Sequence, residues 1–277
     1  MSDSRSTKGR WRKAIKLIQT RNEVQEKIVS GTIFHSSIIP GESTWHRITS
    51  DLHPDFNVRL SFPVTPPTLE DLHGFNNTGN VRIWMSEEVL TSLALRFLPS
   101  IINEDIRPFR VLELGGGMTA LGGLALATAS NHALEVILSD GNEKSVQNIQ
   151  RVVSHNNIQC AGISVRRIRW DLAEDFQDLQ GNCDLVLCSD CLFFDEGRQP
   201  LVSCLAKLLK VPSGVAWIVA PSRNRTLDAF LNMARTSFAS VQELPIPTEL
   251  LQRVERVAVN RDTDVPLWYT LKQPRLL

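Results

Sequence analysis

Between Phe56 and Phe62 apolar and polar residues alternate strictly, with Phe56, Val58, Leu60 and Phe62 set against Asn57, Arg59 and Ser61. That period of two predicts a half-buried strand, ended by Pro63. Upstream, Trp11, Ile15, Ile18, Val24 and Ile28 recur near helical spacing and predict an amphipathic helix over residues 9–29. The stretch Pro63-Val-Thr-Pro-Pro67 and the polar turn Asn76-Asn-Thr-Gly-Asn80 bracket a boundary. Residues 1–75 thus read as a small N-terminal α+β extension and residues 76–277 as the main domain.

From Trp84 the pattern becomes strand and helix in alternation. Ser86-Glu-Glu-Val predicts a helix to about Phe97, with Ser86 as its N-cap and two acids in the first turn. Strands are expected at 110–114, 134–139, 163–170, 184–188, 215–220, 241–243 and 267–271, and helices at 119–129, 143–153, 198–210 and 227–236. Such repetition argues an α/β fold with a doubly wound, mostly parallel sheet, whose ligand lies at the carboxyl ends of the strands.

Composition changes this picture little. The chain has 277 residues, 42% of them hydrophobic and 22% charged, which is ordinary for a soluble globular protein with a sizeable core. No apolar run reaches the roughly 18 residues of a membrane span, so a soluble intracellular monomer is expected, in the cytoplasm and with the nucleus as a second compartment. Neither a membrane nor a nucleic acid is expected as a partner. The odd set of five cysteines reads as reduced thiols in a core, and the lone Cys188-x-x-Cys191 pair has no companion for a metal site. Charge is zero overall but uneven: Arg5, Lys8, Arg10, Arg12, Lys13, Lys16 and Arg21 face only Asp3, so residues 1–21 carry +6. That arm suits an acidic partner, a solvated helix face or a mitochondrial presequence.

The chemistry gathers at strand ends. Gly115-Gly116-Gly117-Met-Thr-Ala120 reads as G-x-G-x-x-A between a strand and a helix, where glycines permit a tight turn and let a ligand approach the backbone. A dinucleotide and an adenosyl cofactor both fit that loop, and Asp140 after the second strand suits the ribose of either. Glu113 is expected at the mouth of the site, where a carboxylate repels a pyrophosphate and suits a sulfonium and its ammonium. Trp170-Asp171 would offer an aromatic plane and an acceptor to an adenine. The single tyrosine, Tyr269, stands at the wrong spacing from Lys272 for Tyr-x-x-x-Lys dehydrogenase chemistry. These features favour S-adenosyl-L-methionine. Taken singly, each has a plainer reading: a turn, a helix cap at Asp140, a core Trp170.

After the fourth strand, Ser189-Asp190-Cys-Leu-Phe193-Phe194 carries an acid and two aromatics into a loop. Methyl transfer needs an acceptor lone pair aligned behind the S–CH3 bond. A lysine with its reference pKa near 10.4 is only ~0.1% neutral at pH 7.4, an unfavourable step of about 4 kcal/mol. Phe193 and Phe194 are candidates for a channel that helps expel the proton, and Asp190 for the acceptor that orients the amine. The plainer reading of this loop is hydrophobic docking on the sheet.

Glu113-Leu-Gly-Gly-Gly-Met-Thr119, Ser139-Asp-Gly-Asn-Glu-Lys144, Arg169-Trp-Asp171 and Asp190-Cys-Leu-Phe193, with Asn77-Thr-Gly-Asn-Val81 and Ile83-Trp-x-Ser-Glu-Glu-Val89 ahead of them, resemble the calmodulin-lysine N-methyltransferases over Asp71 to Ala220. The resemblance implies a Rossmann-like seven-strand methyltransferase sheet and trimethylation of one calmodulin lysine. It further implies cofactor contacts at Trp84, Gly115 to Gly117, Asp140, Trp170 and Ser189. The wider group has Asp-x-x-Tyr where this chain has Asp190-Cys-Leu-Phe193, which removes a phenolic hydroxyl. Three other readings stay open: a lysine methyltransferase of a chaperone or translation factor, a non-catalytic module that keeps the fold, and a nicotinamide oxidoreductase.

Overall fold

A computed structural model describes residues 28–62, 82–102, 108–129, 134–192, 194–223 and 225–275. The basic arm, most of the expected N-terminal helix, the 75/76 boundary, the Asn76–Asn80 turn and Phe193 lie outside the described residues.

The alternating segment is strand β3 (Asn57–Ser61), which pairs with β2 (Glu42–Thr49), itself paired with β1 (His35–Ile39), all antiparallel. Strands β1 and β2 escape the sequence reading because their apolar residues do not alternate: β1 is exposed or half-buried along its whole length.

The second sheet has seven strands: β4 (Phe109–Glu113), β5 (Leu134–Asp140), β6 (Gly162–Arg167), β7 (Leu185–Ser189), β8 (Val215–Pro221), β9 (Phe238–Leu244) and β10 (Pro266–Pro274). Their spatial order is β6-β5-β4-β7-β8-β10-β9, parallel from β6 to β8, with β10 antiparallel to both β8 and β9. The expected doubly wound, mostly parallel α/β sheet is therefore present. Strand β6 ends at Arg167, so Trp170 stands in the turn beyond the strand.

Pleating sends alternate residues of each strand to opposite faces. Val111, Leu185 and Leu187 enter one core, with α1 (Met85–Phe97), α2 (Leu121–Thr128), α3 (Glu143–Ser154), α6 (Thr248–Glu255) and the three-stranded sheet. Leu112, Leu114, Val186 and Cys188 enter the other, under α4 (Asp195–Leu208), α5 (Thr226–Ser237) and the 3-10 turns at Ala173–Leu179. A short α7 (Arg261–Asp264) precedes β10. Helix α1 contributes Val89, Leu90, Leu93 and Ala94, all fully buried, at about 1.5–3 kcal/mol for each of the larger side chains. Helix α2 presses closely on the sheet because Gly123 has no side chain: a Cβ there would lie 2.4 Å from Leu138.

One expectation needs correction. Helix α1 begins at Met85 with Trp84 as N-cap, and Ser86 lies buried inside its first turn. The reason is tertiary: Ser86, Glu87 and Glu88 all face inward, and Glu88 accepts hydrogen bonds from the backbone and hydroxyl of Ser30 in the N-terminal segment.

Candidate active site

Chain direction across the sheet reverses between β4 and β7, where doubly wound folds hold their ligands. The glycine loop leaves β4 at this point. Gly115 and Gly117 have φ of +69° and +61°, in the left-handed region that favours glycine. At Gly115 a Cβ would also stand 2.6 Å from Cys191 Sγ and 3.2 Å from the Trp170 ring. Gly116 donates to the Ser139 carbonyl at 2.8 Å, and the Ser139 hydroxyl donates to the Glu113 carbonyl at 2.7 Å, tying the loop to β5.

Asp140 ends β5 with both oxygens engaged: Oδ2 accepts from Gly117 N–H and Oδ1 from Asn142 N–H, each at 2.8 Å. Burial pushes its carboxyl up to about 6 against those bonds. Asn142 caps α3 by accepting from Lys144 N–H, so the cap is not Asp140. Trp170 covers Gly115 on one side and faces Gly197 of α4 on the other. Beside it a cavity of about 270 Å³ opens along Asp171, Phe176, Gln199, Pro200 and Lys207.

Glu113 is not at the mouth of the site. It shares the face of Val111, and the pleat turns it beneath the loop, where Oε2 accepts from Gly123 N–H at 2.6 Å at the start of α2. Desolvation lifts its carboxyl to about 8, with Glu87 adding to the shift and the amides of Gly123 and Gly122 opposing it. Its influence on a ligand passes through the loop and helix it supports.

The sequence reading also missed Glu87. Buried in the interior, it reaches from α1 to accept from the Thr119 hydroxyl at 2.7 Å and Leu121 N–H at 3.3 Å, and burial raises it to about 7. Its inward direction has no local signal, since acids are ordinary in a helix first turn.

A second group forms at the ends of β7 and β8. Asp190 has φ +52° and donates its N–H to the Val219 carbonyl. Arg223 Nη1 lies 3.2 Å from Oδ1 and 3.0 Å from Oδ2 of its carboxylate. Burial raises the Asp190 carboxyl, and Arg223 opposes the shift. The Arg223 guanidinium sits 5.7 Å from the centre of the Trp84 ring, and that of Arg82 sits 5.1 Å away. Arg223 was not anticipated, being 33 positions from Asp190. Ser189 closes β7 and its carbonyl accepts from Cys191 Sγ at 3.2 Å. The half-buried Cys191 thiol is raised above its ordinary value by its neighbour Cys188 and by desolvation, which disfavours the thiolate. Phe194 is the N-cap of α4 and packs toward Gly197.

Gly115, Gly117, Asp140 and Trp170 thus form one group, and Trp84, Asp190 and Arg223 another. The chain is 33% identical to a calmodulin-lysine N-methyltransferase of Arabidopsis thaliana over 166 residues, 59% of this chain and 52% of that one. It is 27% identical to the protein-lysine N-methyltransferase EFM2 of Saccharomyces cerevisiae, over 60% of this chain and 42% of that one, and 26% identical to EFM6 of the same yeast, over 57% and 70%. The chain spans about half the length of the first two of these curated relatives. Among solved structures, a TehB-like S-adenosylmethionine-dependent methyltransferase from Corynebacterium glutamicum matches at 14% identity over 70% of this chain and 89% of that one, with a TM-score of 0.45. Residues 70–237, more than half of the chain, match the lysine methyltransferase family. The chain belongs to that family, in which S-adenosylmethionine is the methyl donor.

Proposed function

We propose that the protein transfers methyl groups from S-adenosylmethionine to a lysine of calmodulin, carrying it to the trimethylated state. The observation that supports calmodulin is the 33% identity to the Arabidopsis enzyme over 166 residues. The yeast relatives support a second reading, in which the same chemistry acts on another protein.

The residues at the switch point fit the cofactor. Gly115 and Gly117 adopt the left-handed turn that opens the loop, and at Gly115 the absent Cβ leaves the room that Trp170 and Cys191 need to close against the backbone. Asp140 would accept from ribose hydroxyls through the lone-pair capacity left by the bonds from Gly117, Asn142 and Ser145. Trp170 and Asp171 would hold the adenine beside the cavity, and Trp84 and Ser189 the methionyl end. Bound there, the cofactor supplies an electrophilic methyl group on a cationic sulfur. Asp190, across from the loop, receives the incoming lysine, and Phe194 helps keep water away from it.

Incubation of the purified protein with unmethylated calmodulin and methyl-labelled S-adenosylmethionine, beside an Asp140→Ala control and a crude lysate, tests this. Label on calmodulin that is lost in the control is expected. Label confined to other lysate proteins keeps the chemistry and discards calmodulin.

A further inference from the structure

A lysine reaches any protein as an ammonium, which has no lone pair for the sulfonium methyl. A lone carboxylate at the receiving point makes this worse, because it stabilises the ammonium and raises its pKa. Asp190, the acid at the end of β7, does not stand alone: Arg223 reaches both its oxygens, at 3.2 and 3.0 Å. Beyond that pair, the arginine has two further contacts and one open side. Its N–H donates to the Thr263 carbonyl beside β10 at 3.3 Å, its guanidinium lies near the Trp84 ring, and its side chain remains 37% exposed toward solvent.

The other charged and titratable groups around the pair come from each neighbouring element. Arg82, ahead of α1, shares the Trp84 ring; the Cys191 thiol sits against the carbonyls of Leu114, Gly115 and Ser189 and feels the charges of Asp140 and Asp190; Arg225 is drawn to Asp228 of α5 at 3.6 Å. Among the described residues, Arg82 and Arg223 thus place two guanidiniums at the Trp84 ring beside Asp190, with Glu88 of α1 facing Arg82 from the interior. An ammonium entering here meets a carboxylate already neutralised and a guanidinium of its own sign.

We propose that Arg223 is a positioning residue for catalysis: paired with Asp190 against the Trp84 ring, it lets the carboxylate orient the acceptor lysine while its own charge drives the amine to the neutral, nucleophilic form. This rests on the reading that the acceptor enters beside Asp190. The ammonium gives its proton to solvent, the freed lone pair forms the N–C bond, and the C–S bond breaks with its electron pair staying on sulfur. A neutral thioether and a methylated ammonium result.

The test is the pH dependence of single-turnover methylation at saturating S-adenosylmethionine, from pH 6.5 to 10, for the full chain and for Arg223→Met and Arg223→Lys. Removing a like charge a few ångströms away raises the amine pKa by about one unit. Arg223→Met should therefore be about tenfold slower at pH 7 and converge on wild type near pH 10. Arg223→Lys keeps the charge and should stay within about threefold at pH 7. Affinity for S-adenosylhomocysteine, by calorimetry, should change less than about twofold in both, a readout that also verifies folding.

A loss of equal size at every pH, in both variants, overturns the proposal and leaves Arg223 a purely geometric role. A tenfold loss of cofactor affinity overturns it by moving Arg223 into the cofactor site. The substrate is calmodulin, or the most strongly labelled lysate protein should calmodulin stay unlabelled, so an error in the substrate does not affect the profile. A wild-type chain that labels no lysine at any pH sinks both readings together.

Discussion

The two ends of the candidate site treat negative charge in opposite ways. Around the glycine loop, Glu87, Glu113 and Asp140 are held by backbone amides and hydroxyls, and burial lifts all three carboxyls. At the ends of β7 and β8 the single acid, Asp190, is paired with the guanidinium of Arg223. The cofactor end holds its carboxyls with amide and hydroxyl dipoles, and burial keeps them partly protonated near neutral pH, so any full positive charge there is brought by the ligand. The acceptor end supplies its own cation, which suits an incoming amine that has to become neutral. A sulfonium that stays charged and an ammonium that must not are separated by this difference.

The largest expected effect comes from Asp140→Ala. Two hydrogen bonds from ribose hydroxyls to a carboxylate contribute about 1.5–3 kcal/mol each, so affinity for S-adenosylhomocysteine should fall about 100-fold or more. Calorimetry beside Arg223→Met makes the contrast direct. Comparable cofactor losses in the two variants would break the division into two ends.

Most of the cofactor end was legible because its signals are local. A strand, three glycines and a helix follow one another between Phe109 and Thr128, and Asp140 closes the next strand, so the loop and its acid can be placed from spacing alone. Side-chain direction was not legible. Glu113 is one residue from Leu112 and one from Leu114, and only the layer that each face packs on decides that it turns under the loop. The inward direction of Glu87 depends on Thr119 and Leu121, more than thirty positions away. Arg223 meets Asp190 only because β8 lies beside β7. Long-range register, which no local pattern carries, fixed each of these. Strand β1 stayed hidden for a related reason, since a mostly exposed strand lacks the alternation that reveals β3.

A smaller effect is a pH dependence of stability without cofactor. Glu87, Glu113 and Asp140 sit at about 7, 8 and 6, above ordinary values of 4.5, 4.5 and 3.8, so the folded chain binds their protons more tightly than the unfolded chain. Their stabilising contribution is complete below the ordinary values and is lost as pH rises through 6 to 8. The melting temperature should therefore fall between pH 5 and 8, and Glu113→Gln should flatten that fall by roughly 5 °C. His46 and His53, lowered by burial, act in the opposite sense, and only as pH falls below their ordinary 6.5. An undiminished slope in Glu113→Gln would mean that the acids of the loop are ionised at no cost, and the contrast with Asp190 would lose its basis.

The smallest effect concerns what holds the cofactor end together. Thr119→Val removes the hydroxyl that donates to Glu87 while keeping the shape of the side chain. A buried hydrogen bond to a carboxylate is worth about 1.5–3 kcal/mol, but Leu121 N–H remains as a second donor. We expect a loss near 1 kcal/mol, seen as about a fivefold weaker S-adenosylhomocysteine affinity. Glu87→Gln should cost somewhat more, and the double variant less than the sum of the two, because both act on the same bond. Additive losses would show that Thr119 and Glu87 act separately on the loop. A coupling of about 0.5 kcal/mol or more would show that α1 sets the conformation of the glycine loop through this contact. The same helix carries Trp84 at its start, so one rigid element would then position parts of both ends.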